Sequence, residues 1–162
     1  MRLPEYIQPR GSDEFFITSL RATLQNPIFS ASVVKSKKPF EHNLSVLSSD
    51  IDAMGHVNNV VYVRWVQEVA AAHWANAASD ILKAKYAWVV LRHEIDYRSP
   101  AFLHDEINGL TWVGDHSGAR FDRYVKLMNN DKVIAEAKTT WCLLDARSMR
   151  PIRIPEEILS LL

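Results

Sequence analysis

Between Val60 and about Ala78 the chain runs for about 20 residues without a glycine or proline, is rich in alanine, and would extend about 30 Å as a helix at 1.5 Å per residue. Apart from Tyr62, only Arg64, Gln67, Glu68, His73 and Asn76 interrupt its apolar surface, and Arg64, Gln67 and Glu68 share one narrow stripe. A helix apolar around most of its circumference is a buried helix, so other elements must wrap it. Asn58 and Asn59 stand where the N-cap belongs, because an Asn side chain can accept from the free amides of the first turn.

The rest of the chain supplies the wrapping. A short alternating piece, His42 to Ser48, precedes the helix, with Leu44 and Val46 aimed at a core. After the helix, Trp88 to Arg98 places Val89, Leu91, His93, Ile95 and Tyr97 on one face in near-pure period two. Glu106 to Gly114 follows, then a turn at Asp115 to Gly118, then Arg120 to Met128. The Asn129-Asn130-Asp131 hairpin signal leads into the alternation of Val133, Ala135, Ala137, Thr139, Trp141 and Leu143. The tail predicts an extended segment closing in a helical turn that starts near Pro155. Strand, buried helix and four strands make an α+β layout, with the helix on the concave face of a curled antiparallel sheet.

With 162 residues, 48% of them hydrophobic, the chain has material for one real core. Lys plus Arg equals Asp plus Glu at 19 each, so no global charge draws it to nucleic acid or an anionic membrane. No apolar run is long enough for membrane insertion, the N-terminus lacks an apolar signal core, and the single Cys142 has no disulfide partner. These features point to a soluble, unprocessed, cytoplasmic protein. Residues 1–38 carry six basic against three acidic residues and only short apolar pieces, and read as an extension: a solvated tail or a docking arm. The domain proper is expected over 39–162.

The densest cluster of chemically useful residues lies just before the helix: Asp50, Asp52, Gly55, His56, Asn58 and Asn59. It sits at the positive end of the helix dipole, where free amides can polarise a carbonyl oxygen while a carboxylate attacks or takes a proton from water. The plain alternatives are Asx turns for the two aspartates, a satisfied polar role for His56 and simple capping for the asparagines.

The run from Asp50 to Asn59 (DIDAMGHVNN), followed by Tyr62, Trp65 and Glu68, resembles the signature of hotdog-fold thioesterases of the 4-hydroxybenzoyl-CoA thioesterase type, relatives of the acyl-acyl carrier protein thioesterases. The resemblance extends through Tyr97 to Ala101, Asp105, and Ala135 to Pro155. It implies an antiparallel sheet around one central helix, assembly as a homodimer or homotetramer, and hydrolysis of acyl-CoA or acyl carrier protein thioesters without a cofactor. By this resemblance Asp52 is the catalytic carboxylate and His56 positions substrate or water. Gly55, Val57, Asn58, Asn59 and Tyr62 would form the substrate-binding set, with the backbone from Val57 to Asn59 polarising the carbonyl. Plant-type acyl carrier protein thioesterases carry Asn where this chain has Met54, which tilts the reading towards coenzyme A. The rival reading is a hotdog module that binds acyl-CoA without cleaving it.

Other residues read more blandly. Glu68 lies one turn after Arg64 and suits an i, i+4 pair or a subunit contact. His93 and Tyr97 on an apolar strand face suit core packing with a satisfied polar tip. Arg98, Arg120, Arg123 and Lys126 fit a solvated face, or contacts to the phosphates of coenzyme A. Trp65, Trp74, Trp88 and Trp141 suit the core or a subunit interface. The six histidines lack ligand spacing, so no metal site is expected, and Cys142 is expected to be buried and inert.

Overall fold

The computed structural model describes residues 38–162, so the expected extension, Lys38 apart, lies outside the described residues. The elements are β1 (Phe40–Ser45), a 3-10 turn (Ser48–Asp50), α1 (Asn59–Ala77), α2 (Asp80–Lys85), β2 (Tyr86–Tyr97), β3 (Glu106–Ser117), β4 (Arg120–Asn129), β5 (Lys132–Asp145) and α3 (Glu156–Leu159). All strand pairings are antiparallel, in the order β1-β3-β4-β5-β2, which leaves β1 and β2 as edges. This is the hotdog arrangement, a five-stranded curled sheet with one long helix packed on it.

Residues Val61, Tyr62, Trp65, Val66, Val69 and Ala70 repeat at helical spacing and are the buried stripe of α1. All but Ala70 pack into one core with Leu44, Ile107, Val125, Leu127 and Ala137 from the sheet. Gly109 sets how closely the helix approaches, because a Cβ there would run into the Val69 side chain. A second cluster, built on Tyr86, Phe121, Leu143, Ile154 and Ile158, gathers Trp74, Trp88 and Trp141 beyond the C-terminal half of α1. The last helical turn opens at Pro155, as its sequence predicts, and buries Ile158 in that cluster.

Three expectations need correction. Among the described residues the helix is covered on one side, and Arg64, Gln67, Glu68, Ala71, Ala75 and Asn76 are exposed. Alanine raises the apolar count of a helix without demanding burial, because it is a strong helix former that leaves little apolar area in water. The strict alternation read for the strand after the helix breaks at a bulge, since Val90 pairs with Trp141 and Arg92 with Thr140, leaving Leu91 as the extra residue. The phase flips there, so Val89 and Leu91 are 36% and 50% exposed while Trp88 packs inside. Helix α2, capped by the Ser79 side chain, takes the place of an expected connection.

Boundaries also shift. β1 occupies Phe40–Ser45, so Val46 packs against the core from beyond the strand end. β3 continues through Asp115, His116 and Ser117, and the chain reverses at Gly118, whose φ of +61° suits a residue without a Cβ.

Candidate active site

The loop before α1 is closed at its base by an isolated antiparallel bridge between Ile51 and Val57. Inside it, the Asp52 amide donates to the His56 carbonyl at 2.9 Å, and the Gly55 amide donates to the Asp52 carbonyl at 3.0 Å. Gly55 adopts φ +81°, a conformation that closes the turn and that a side chain would strain.

Asp50 holds this loop to the helix. Its carboxylate is 2% exposed and takes both Arg64 guanidinium nitrogens, at 2.9 and 2.8 Å, together with the Leu47 amide at 3.0 Å. The Arg64 hydrogen bonds hold the Asp50 carboxyl below its usual range, against burial, which pushes it up. The Asp50 carbonyl also accepts the Asn58 amide at 2.9 Å. The expected Arg64–Glu68 pair is therefore not formed. Arg64 reaches towards the helix start to satisfy a buried carboxylate, and Glu68 stands 3.6 Å from His42 instead.

Asp52 is placed differently. Its side chain is 23% exposed; Oδ1 accepts the Met54 amide at 2.8 Å, making an Asx turn, and Oδ2 lies 3.5 Å from His56 Nδ1. His56 Nδ1 also lies 3.3 Å from the Val57 carbonyl, so a proton on Nδ1 faces two acceptors. One oxygen of Asp52 thus fixes the turn, and the other is left beside an imidazole at the mouth of the loop.

The helix start limits which amide can hold an anion. Val57 donates to the Ala101 carbonyl, Asn58 to the Asp50 carbonyl, and Val61 to the Asn58 carbonyl. Val60 is capped by Asn58 Oδ1 at 3.0 Å. Among the described residues, only the Asn59 amide in this run has no partner. Of the stretch from Val57 to Asn59, two amides hold the loop in place and that of Asn59 is left over.

Tyr62 is 2% exposed; its hydroxyl accepts the Ala101 amide at 2.9 Å and donates to the Ser99 carbonyl at 3.3 Å. Burial raises its pKa, and the hydroxyl ties the helix to the loop after β2. In this sealed position the Tyr62 hydroxyl is engaged by backbone groups on both sides. Tyr97, read as a core residue, is 45% exposed, stacks edge-on to Tyr62, and donates from its hydroxyl to the Asn59 carbonyl at 3.2 Å. It is the site neighbour that period-two reasoning missed, and its signal is its place at the end of an edge strand beside the helix start.

Among the arginines and lysines assigned to a solvated face, Arg98 pairs with Glu136 at 2.9 Å and Lys126 with Glu136 at 3.4 Å, while Arg120 is exposed. Arg123 overturns that expectation. It is 3% exposed because it shares the inward row with Phe121, Val125 and Leu127. Cys142 is buried. No cluster of three or more metal-ligating side chains occurs among the described residues, and no described helix is long and apolar enough to cross a membrane.

Comparison with known proteins places this geometry in a family. Residues 46–162 match the model of the thioesterase-like superfamily. A chloroplastic palmitoyl-acyl carrier protein thioesterase of Arabidopsis thaliana is 24% identical over 93% of this chain, and one of Cuphea hookeriana is 23% identical over 83%. The chain spans only 37% and 35% of those relatives' own lengths. Among solved structures, a thioesterase complexed with coenzyme A and zinc from Thermus thermophilus superposes with a TM-score of 0.66 at 24% identity, covering 74% of this chain and 88% of that one. A 1,4-dihydroxy-2-naphthoyl-CoA thioesterase from Synechocystis gives 0.66 at 17% identity, covering 76% and 94%. With more than half its length matched and the same sheet-and-helix fold, the chain belongs to the thioesterase-like superfamily.

Proposed function

We propose that the protein hydrolyses acyl-CoA thioesters at the N-terminus of α1. The observation that carries this reading is the pairing of a partly exposed carboxylate, Asp52, with the uncommitted Asn59 amide at the positive end of a 19-residue helix. Asp52 Oδ2 takes a proton from water, and the oxygen attacks the thioester carbonyl. The tetrahedral oxyanion is held by the Asn59 amide and the helix dipole. Collapse breaks the C–S bond, and the thiolate leaves with the proton that Asp52 had taken. His56 holds Oδ2 in place, and Gly55 gives the turn that presents it.

Coenzyme A is favoured over acyl carrier protein by Met54, which is 80% exposed where the plant enzymes' pattern has Asn. A homodimer follows from β2: an edge strand of 12 residues exposing Val89, Leu91 and Tyr97 is a template for a second copy. Since Tyr97 touches Asn59, that copy would border the site. The lone buried Cys142 suits a reducing, cytoplasmic setting.

The test is free-thiol release from short, medium, long and aromatic acyl-CoAs and from acyl carrier protein thioesters, with wild type and Asp52→Asn side by side. The amide still accepts the Met54 amide but cannot act as the base. A fall of at least about a hundredfold, or about 2.7 kcal/mol, is expected. Acyl-CoA binding without thiol release, equal in both proteins, overturns the hydrolase and leaves a binding module.

A further inference from the structure

The second cluster borders a partly open cavity of about 300 Å³ beside the C-terminal half of α1. Its walls are aromatic, formed by Trp74, Tyr86, Trp88, Phe121 and Trp141, and its one charged lining residue is Arg123. The Arg123 guanidinium lies over the Phe121 ring at 5.5 Å, and of its nitrogens Nη1 alone has hydrogen-bond acceptors among the described residues: Thr111 Oγ1 at 3.2 Å and His73 Nδ1 at 2.9 Å. No carboxylate pairs with Arg123 among the described residues. Nε and Nη2 have no partner there either, although a guanidinium carries five donors in a rigid fork. Trp141 lines the same cavity with its ring, while its indole Nε1 is buried with no hydrogen-bond partner among the described residues. Burial alone pushes the Arg123 pKa down to about 10, so it remains a cation at neutral pH.

A buried cation without a counter-ion is costly, and native interiors rarely keep one. From Arg123, which has no carboxylate partner, and the aromatic walls we infer that this cavity is a binding site for a compact organic carboxylate with an aromatic body. The carboxylate meets the free edge of the guanidinium, and the ring lies among the aromatic side chains, where it is sensed by the Trp141 indole. The cavity volume is at the lower end of ligand pockets, which selects a small acid over a long acyl chain. Inorganic phosphate fits poorly, because one cation in an apolar box leaves its second charge and most of its oxygens without partners. The site is separate from the Asp52 loop: Ala70 to Trp74 lie about 16 to 22 Å along the helix from Asn59 at 1.5 Å per residue, with Trp65, Val66 and Val69 buried between. The inference does not depend on hydrolysis at Asp52, because binding is read without turnover.

The experiment uses the full chain labelled with nitrogen-15 and follows the indole N–H signals, with that of Trp141 assigned by its loss in Trp141→Phe. Titration with sodium benzoate is expected to shift the Trp141 signal saturably, with millimolar affinity for so small a ligand. Benzamide, which has the same shape without the charge, is expected to bind at least about tenfold more weakly. Arg123→Met is expected to lose at least about tenfold in benzoate affinity and to abolish the preference over benzamide. Equal binding of benzoate and benzamide overturns the inference, as does an equal response to sodium phosphate at matched ionic strength. Absence of any saturable shift at about tens of millimolar benzoate overturns it too. Should Arg123→Met fail to fold, the comparison of benzoate, benzamide and phosphate on the wild-type chain decides alone.

Discussion

Asp50 and Arg123 are both buried charges, and they lie near opposite ends of the same helix. Asp50 is answered in full: two guanidinium nitrogens, one backbone amide and a pKa held low by those contacts. Arg123 meets a hydroxyl, an imidazole nitrogen and the face of the Phe121 ring at 5.5 Å, with no carboxylate beside it among the described residues, and burial pushes its pKa down. The first arrangement fastens a loop to a helix and strengthens the fold. The second weakens the empty fold and makes sense for a charge held ready for a partner from outside. Burial alone does not separate structural from functional charges; whether the protein itself supplies the counter-charge does.

The comparison can be broken by removing one member on each side and measuring urea unfolding. Arg64→Met strands the Asp50 carboxylate and is expected to cost about 3 kcal/mol, near the low end for a broken buried pair because Arg64 is half exposed. Arg123→Met removes an uncompensated cation of similar length and is expected to stabilise the ligand-free protein by about 1 to 2 kcal/mol. Two losses of equal size would erase the distinction. The pH dependence sharpens it further. Asp50 has a folded pKa below its unfolded value, so its contribution is complete above about pH 3.9 and is lost as pH falls through the folded value. His93, whose pKa is lowered by burial, contributes stability that is complete above about pH 6.5 and is lost as pH falls below that. Thermal melts of wild type and His93→Gln should therefore draw together as the pH falls below about 6.5, the smallest of these effects. A constant gap across that range would remove His93 from the account.

Much of this was legible in residue order. The long alanine-rich helix, its Asn58 cap, the Asn130 hairpin and the closing turn at Pro155 all follow from local chemistry that needs no tertiary partner. The candidate loop was marked by its resemblance to the thioesterase signature, since Asp, Gly, His and Asn at those spacings also suit the Asx turn and the cap that the structure shows. What local reasoning missed depends on the third dimension. A single bulge at Leu91 inverts which residues of β2 face inward, and nothing in that alternating stretch marks where the extra residue falls. Arg123 sits in phase with Phe121 and Val125, so its own spacing already placed it inside; only the habit of putting arginine in water argued otherwise. The distinct fates of Asp50 and Asp52 required knowing that Arg64, 14 residues later than Asp50, folds back onto it.

The bridge between Ile51 and Val57 carries a consequence for how such a protein can diversify. The residues from Asp52 to His56 hang from a closed base whose anchors, Asp50, Tyr62 and Ala101, belong to the framework rather than to the loop. Substitutions within the loop are therefore insulated from folding: they change what is presented to a substrate while the core below keeps its packing. A scaffold built this way can trade one reactive group for another in small steps, each tolerated before it is useful.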